Sequence, residues 1–298
     1  MPPSTICLLL AMALSAAVPA AAPSDPYRAD VDAWHAQRIE RLQAEDGWLS
    51  LVGLHPLHAG VNTVGTATDR DVRLDAEAPG KVGVLDVGDD GICFTPEAGV
   101  PVRVDGVVVT GPVPAATDTD GAPTVFQLGT VRFHVIARGD LRFLRVKDGA
   151  SPVRRGFTGI ARFPVDPRWR VTARLVTEDQ PTEVPSVNVL GQTELLPSPG
   201  RLEFEVDGQT YRLLPTGGPG EPLFIVFSDG TSGRLTYGGG RFLSTPPPDA
   251  DGRVELDFNR AINPPCAFTP HATCPLPPPE NRLPLAVTAG EKTWGDHH

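Results

Sequence analysis

Residues 257–282, D-F-N-R-A-I-N-P-P-C-A-F-T-P-H-A-T-C-P-L-P-P-P-E-N-R, cannot form a helix or a central strand. Prolines at 264, 265, 270, 275, 277, 278 and 279 each remove a backbone donor and fix φ. The stretch must be a rigid, irregular segment laid over something else. It also gathers polar chemistry: Asp257, Asn259, Arg260, Asn263, Glu280, Asn281 and Arg282, with Cys266, His271 and Cys274 between them.

The rest of the chain reads as mainly β. Apolar runs are short and turn residues recur between them, against a background of 31 Gly and 33 Pro. One amphipathic helix is expected near the N-terminus. Asp25-Pro26 is an entry signal, Val31, Trp34, Ile39 and Leu42 fall at helical spacing, and Gly47 is a stop, giving a helix over about 27–46 that packs on the first sheet. Strands are expected at 48–52, 61–66, 71–74, 82–87, 91–95, 102–109, 125–128, 131–138 and 141–146, with 53–60 a turn. Asp105-Gly106 and Gly139-Asp140 are hairpin signals. Along 131–136, Val131, Phe133 and Val135 alternate with Arg132, His134 and Ile136, the pattern of a half-buried antiparallel sheet.

A Gly-, Pro- and Arg-rich stretch at 148–170 marks a boundary. Beyond it, strands are expected at 171–176, 186–190, 202–206, 210–215, 223–227, 234–237, 241–243 and 254–258. The expected organisation is a helix plus β-sandwich-like unit over 23–150, then a second sandwich- or barrel-like unit over 151–292 closed by the proline-rich segment. Residues 293–298 are left as a loose tail.

The first residues look like an export signal. Ile6–Leu14 is an apolar core, and small residues follow to Ala22, so residues 1–22 are assigned to a cleaved signal peptide and the protein to the periplasm or exterior. The run is too short to span a membrane and contains Pro19. No other segment could span one. A formal net charge of −10 argues against a nucleic-acid partner. In an oxidising compartment Cys266 and Cys274 are most simply a disulfide, and closing that short loop restrains the unfolded chain by about 2.5 kcal/mol. Cys93, in the apolar run I-C-F, reads as a buried thiol.

Four stretches resemble two known families. L-H-A-G-V-N-T-V-G-T-A-T-D-R-D-V-R-L (57–74) is similar to the opening of a forkhead-associated β-sandwich. Thr66 after Gly65 departs from the Arg of the phosphothreonine-binding members, so the resemblance implies a sandwich and not phosphopeptide binding. Three further segments, 47–57, 227–243 and 257–284, together resemble a bacterial family catalogued as domain of unknown function 1684. That resemblance implies a two-part β fold and no established activity.

Several chemistries compete for the polar residues. Cys266, His271 and Cys274 could ligate zinc, but the spacing is unusual and no fourth ligand is near, so no metal is assigned. His55 and His58 lie on a Pro-containing turn rather than one helix face. Gly230-Thr231-Ser232-Gly233 falls one residue short of a nucleophile elbow and sits between strands. Gly238-Gly239-Gly240-Arg241 has no following helix and is no nucleotide loop. The basic cluster Arg154, Arg155, Arg162, Arg168 and Arg170 reads as a solvated or bridging strip.

The expectation is therefore a binding protein for a small polar or anionic ligand, with no cofactor. Its cleft would be walled by 229–241 and 257–282 and lined by Asp229, Tyr237, Arg241, Asp257, Asn259, Arg260, Asn263, Glu280, Asn281 and Arg282. The alternative is a hydrolase using Asp257 with Glu280, or Ser232 with His271.

Overall fold

The computed structural model describes residues 25–177 and 182–295; the leader assigned to residues 1–22 lies outside the described residues. Helix α1 (Pro26–Gln43) starts where Asp25 accepts the Tyr27 N–H. Its seat differs from the expected one. Val31 and Leu42 are buried, but so is Arg38, which donates to the Asn263 carbonyl at 3.0 Å and pairs with the buried Glu291. The helix therefore lies on the C-terminal segment of the second unit, and not on the first sheet. The apolar stripe is narrow, and ion pairs of Asp30, Asp32 and Arg38 with Arg260, Arg162 and Glu291 add to its seat.

The first unit is a two-sheet sandwich. Along the chain run β1 (Leu51–Leu57), β2 (Gly60–Gly65), β3 (Val72–Arg73), β4 (Gly83–Gly88), β5 (Gly91–Pro96) and β6 (Arg103–Val104). They are followed by β7 (Val107–Val108), β8 (Val113–Pro114), β9 (Phe126–Leu128), β10 (Val131–Arg138) and β11 (Leu141–Asp148). One sheet has the order β1-β11-β10-β9-β6-β7 and the other β3-β2-β4-β5-β8. Trp48–Ser50 is a 3-10 turn, and β1 runs through the expected turn at 53–57. Pro56 is tolerated because β1 is an edge strand whose only partner is β11. Asp105 and Gly106 both take positive φ, as the tight β6–β7 turn requires. The core between the sheets centres on Phe94, Phe126 and Phe133, with centroids 4.7–5.4 Å apart.

The second unit starts after a short helix, α2 (Pro152–Arg155). Its strands are β12 (Arg170–Val176), β13 (Thr182–Val187), β14 (Thr193–Ser198), β15 (Arg201–Val206), β16 (Gln209–Leu213), β17 (Leu223–Phe227), β18 (Arg241–Thr245) and β19 (Arg253–Asp257). A four-stranded sheet, β16-β15-β12-β19, packs on the β17–β18 hairpin through Leu202, Phe204, Leu213, Ile225, Phe227, Leu243, Leu256 and Phe258. Strands β13 and β14 form a separate hairpin. Among the described residues no sheet closes into a barrel. Residues 234–237 are not a strand: Thr231 and Thr236 hold them as a compact turn, and β18 makes the return.

The proline-rich segment wraps this unit as expected, through three short 3-10 turns. Its close fit needs glycine at Gly240 (φ +89°), where a Cβ would meet Pro277 Cγ at 2.5 Å and the Phe227 carbonyl at 2.7 Å. Gly290 is similar, against the Ala261 carbonyl at 2.5 Å. Thr293 and Trp294 belong to the fold rather than to a loose tail. The Thr293 N–H donates to the Leu235 carbonyl, and the Trp294 ring packs against Phe157 and Phe268.

The most demanding group in this unit is Arg241, which is fully buried. It donates to Asp229 Oδ2 at 2.7 Å, to the Val287 carbonyl at 3.0 Å and to the Ala289 carbonyl, and lies over the Phe227 ring. Removing one partner strands the other charge in a dry interior. Asp229→Ala and Arg241→Ala are each expected to lower the unfolding free energy by about 3–5 kcal/mol in chemical denaturation. Changing both together should cost clearly less than the sum.

Candidate functional site

The residues expected to line one cleft serve mostly as internal struts. Asp229 Oδ1 accepts the Thr231 N–H and hydroxyl at 2.7 Å, and its other oxygen holds Arg241. Asp257 accepts the Tyr27 hydroxyl at 2.8 Å, the Asn259 N–H at 3.1 Å and Arg260 Nε at 3.2 Å. Burial beside that carboxylate raises the Tyr27 pKa. Asn259 spans to Asp166, accepting its N–H and donating to its carbonyl. Arg260 pairs with Asp30 of α1 and lies 5.7 Å from the Trp34 ring centroid.

Asn263 takes Glu291 on its backbone N–H and donates its amide to the Lys292 carbonyl. Asn281 ties Leu214 and Val226 together by three hydrogen bonds of 2.6–2.9 Å. Glu280 and Arg282 are exposed at the surface. The Arg154–Arg170 strip also bridges elements: Arg154 donates to the Gln43 carbonyl, Arg162 to Asp32 and Arg170 to Glu255.

The hydrolase pairings gain no geometric support. Ser232 Oγ accepts the Asp229 N–H in its turn, and no hydrogen bond joins it to His271 among the described residues. His271 is half-buried near His55, and burial lowers the pKa of both. Among the described residues no cluster of three or more His, Cys, Asp or Glu could hold a metal ion.

Chemistry instead collects at the seam between the two units, on the outward face of β10 and β11. The register pairs His134 with Arg145 and Arg132 with Lys147, so all four project from the same face. Trp48, in the turn before β1, covers this face. Arg145 Cζ and Lys147 Nζ each lie 5.6 Å from its ring centroid. Arg132 is balanced by Glu45 at 2.9 Å, and Lys147 donates to the Asp46 carbonyl.

Arg145 is different. It is only 8% exposed, its Nε has no partner, and no hydrogen bond or ion pair joins its side chain to any described residue. Burial lowers its pKa, opposed in part by Asp118. Burial and the two neighbouring cations push His134 down to about 4. The alternation along 131–136 carried this face in the sequence. What it lacked was any sign that Trp48 and the proline-rich segment would bury the basic row.

A groove of about 660 Å³ opens further along the same strands, between the β10–β11 tip and the β13–β14 hairpin. Arg138, Asn188, Gln192, Thr193 and Thr273 line it. Arg138 donates to Asp118 at 2.7 Å and to Thr273 Oγ1 at 3.3 Å, and its carbonyl accepts from Gln192. The expected cleft thus touches the groove only at Thr273–Pro275. A wider groove of about 870 Å³ crosses the β15–β12–β19 face, but it is an open sheet surface where Glu203 and Asp251 already pair with Arg212 and Arg253.

The His134 environment has a pH consequence. Its folded pKa, about 4, lies below the unfolded value of about 6.5. Between those values the unfolded chain binds more protons, so stability is full above about pH 6.5 and falls as the pH drops toward 4. Urea midpoints taken across that window should fall with acid, and His134→Gln should flatten the slope. His35, His55 and His271, whose pKa values burial also lowers, act in the same direction.

Residues 155–292, essentially the second unit and its proline-rich wrap, match the model of the family described as protein of unknown function (DUF1684). An uncharacterized protein of Haloarcula marismortui, solved by solution NMR, is similar at 35% identity over 48% of this chain and 81% of that one, with a TM-score of 0.40. No curated protein matches. With the motifs at 227–243 and 257–284 inside the matched region, the chain belongs to the DUF1684 family.

Proposed function

We propose that this protein is an exported binding protein for a small polar anion, held at the seam between its two units. The observation that carries this reading is Arg145: a residue only 8% exposed, its guanidinium over the Trp48 ring, with no carboxylate in ion-pair contact with it among the described residues. An unpaired buried charge is costly, and an anion supplied from solution would offset that cost. Lys147 and His134 add donors on the same face, and the groove further along the same strands offers Arg138, Asn188, Gln192 and Thr273 to the rest of the ligand.

Export rests on the 1–22 leader. In the structure Cys266 and Cys274 are free thiols in contact rather than bonded. We infer that they join once the chain reaches an oxidising compartment. Protein purified from the exported fraction without reductant should then begin near Pro23 and have a denatured mass two hydrogens below that of its reduced form.

Thermal unfolding in the presence of phosphate, sulfate and small di- and tricarboxylates tests the site. A binding anion at about 100 times its dissociation constant should add about 2.7 kcal/mol of stability. Arg145→Met should abolish that gain while keeping the fold, and Arg260→Ala should leave the anion response unchanged. No response to any of these anions in the wild-type protein, or an unchanged response in Arg145→Met, would count against the site.

A further inference from the structure

The Cys266–Cys274 pair has features that a purely structural bridge does not need. The two cysteines differ in exposure: Cys266 is partly exposed, while Cys274 is only 4% exposed, among Leu51, Val226, Phe242 and Ala272. The Cys266 N–H donates to Cys274 Sγ at 3.1 Å. Tyr237 stands over the outer cysteine, donating to its carbonyl at 3.3 Å and lying within reach of its sulfur. The cysteines sit in a segment fixed by Pro264, Pro265 and Pro275, so their approach is preset.

We propose that Cys266 and Cys274 form a thiol–disulfide exchange site for a small or peptide disulfide, with Cys266 the attacking and Cys274 the resolving sulfur. This rests on the thiol pair alone and not on the anion site. The Cys266 thiolate attacks one sulfur of the substrate R–S–S–R′. The substrate S–S bond breaks, R–S⁻ leaves and takes a proton from water, and Cys266 carries R′–S in a mixed disulfide.

Cys274 then gives up its proton and attacks the Cys266 sulfur. This forms the Cys266–Cys274 bond and expels R′–S⁻. The substrate gains two electrons and the protein dithiol loses two, which a dithiol donor restores. The environment supports that division of labour. Hydrogen bonds from the Cys274 thiol and then the Tyr237 hydroxyl lower the Cys266 pKa. Donation to Cys266, with burial, raises that of Cys274, which keeps it protonated until the mixed disulfide forms. Tyr237 is a positioning residue.

The test uses the full chain with Cys7→Ser and Cys93→Ser, reduced and mixed with a chromogenic aromatic disulfide. The expected result is release of two aromatic thiolates per chain with no adduct left on the protein. Adding Cys274→Ser should stop the reaction after one thiolate, leaving an adduct that maps to Cys266. Cys266→Ser should react at least about ten-fold more slowly than the parent. Circular dichroism checks that the variants fold, and the parent stoichiometry needs no further change.

A parent that keeps the adduct overturns the proposal, as do Cys266→Ser and Cys274→Ser proteins that react at the same rate. So does an oxidised pair that excess monothiol and dithiol cannot reopen in the folded protein. That last outcome would leave the exported disulfide standing as a structural bridge.

Discussion

A single buried guanidinium organises the second half of this protein. Arg241 begins β18, and its donors reach back to Asp229 beyond β17 and forward to the carbonyls of Val287 and Ala289. Three stretches far apart in sequence therefore share one charge in a dry interior. The arrangement holds only if every carbonyl arrives, because a guanidinium without them would be stranded. The prolines of 264–279 suit that task. They fix the path of a segment that has no sheet ladder of its own and deliver Leu283–Gly290 to the guanidinium with little entropy left to lose.

The seam between the units follows a different logic. The Thr269 hydroxyl donates to the Leu51 carbonyl, and Arg138 reaches Thr273, so the wrap of the second unit also lies against the edge and outer face of the first. That face carries basic residues because, in an isolated sandwich, it would look into water. Covering it with Trp48 and the wrap turned a solvated row into a half-dry one. Arg145 and His134 are perturbed for that reason. The proposed function is thus a by-product of how two β units are joined rather than of either unit alone.

Much of the architecture was legible in the sequence. The alternation at 131–146 gives β10 and β11 with the right faces, Asp105-Gly106 gives its hairpin, and L-F-I-V-F gives β17. Errors fell where tertiary contacts overrode local pattern. R-L-T-Y at 234–237 has strand composition, yet Thr231 and Thr236 bond across the turn and close it. Strand β14, T-E-L-L-P-S, was missed because its proline lies in a hairpin with open edges. The site was harder to see. Conspicuous polar residues of the wrap, such as Asn263 and Asn281, mark where an irregular backbone needed donors and acceptors. No local signal separates a polar residue that satisfies the chain from one that serves a ligand. Arg145, whose guanidinium finds no hydrogen-bond partner among the described residues, sits in the regular alternation of β11.

The first helix is held in large part by residues near the far end of the sequence. Tyr27 bonds to Asp257 across 230 positions, and Arg38 meets Glu291 across 253. A chain emerging from a ribosome would make α1 first and its seat last. Until the final residues appear, Tyr27 and Arg38 lack their partners Asp257 and Glu291. Closure of this kind is slow, because the longest loop must form before its contacts reward it. Under the proposed export, such a delay would suit a chain that crosses a membrane as an extended thread.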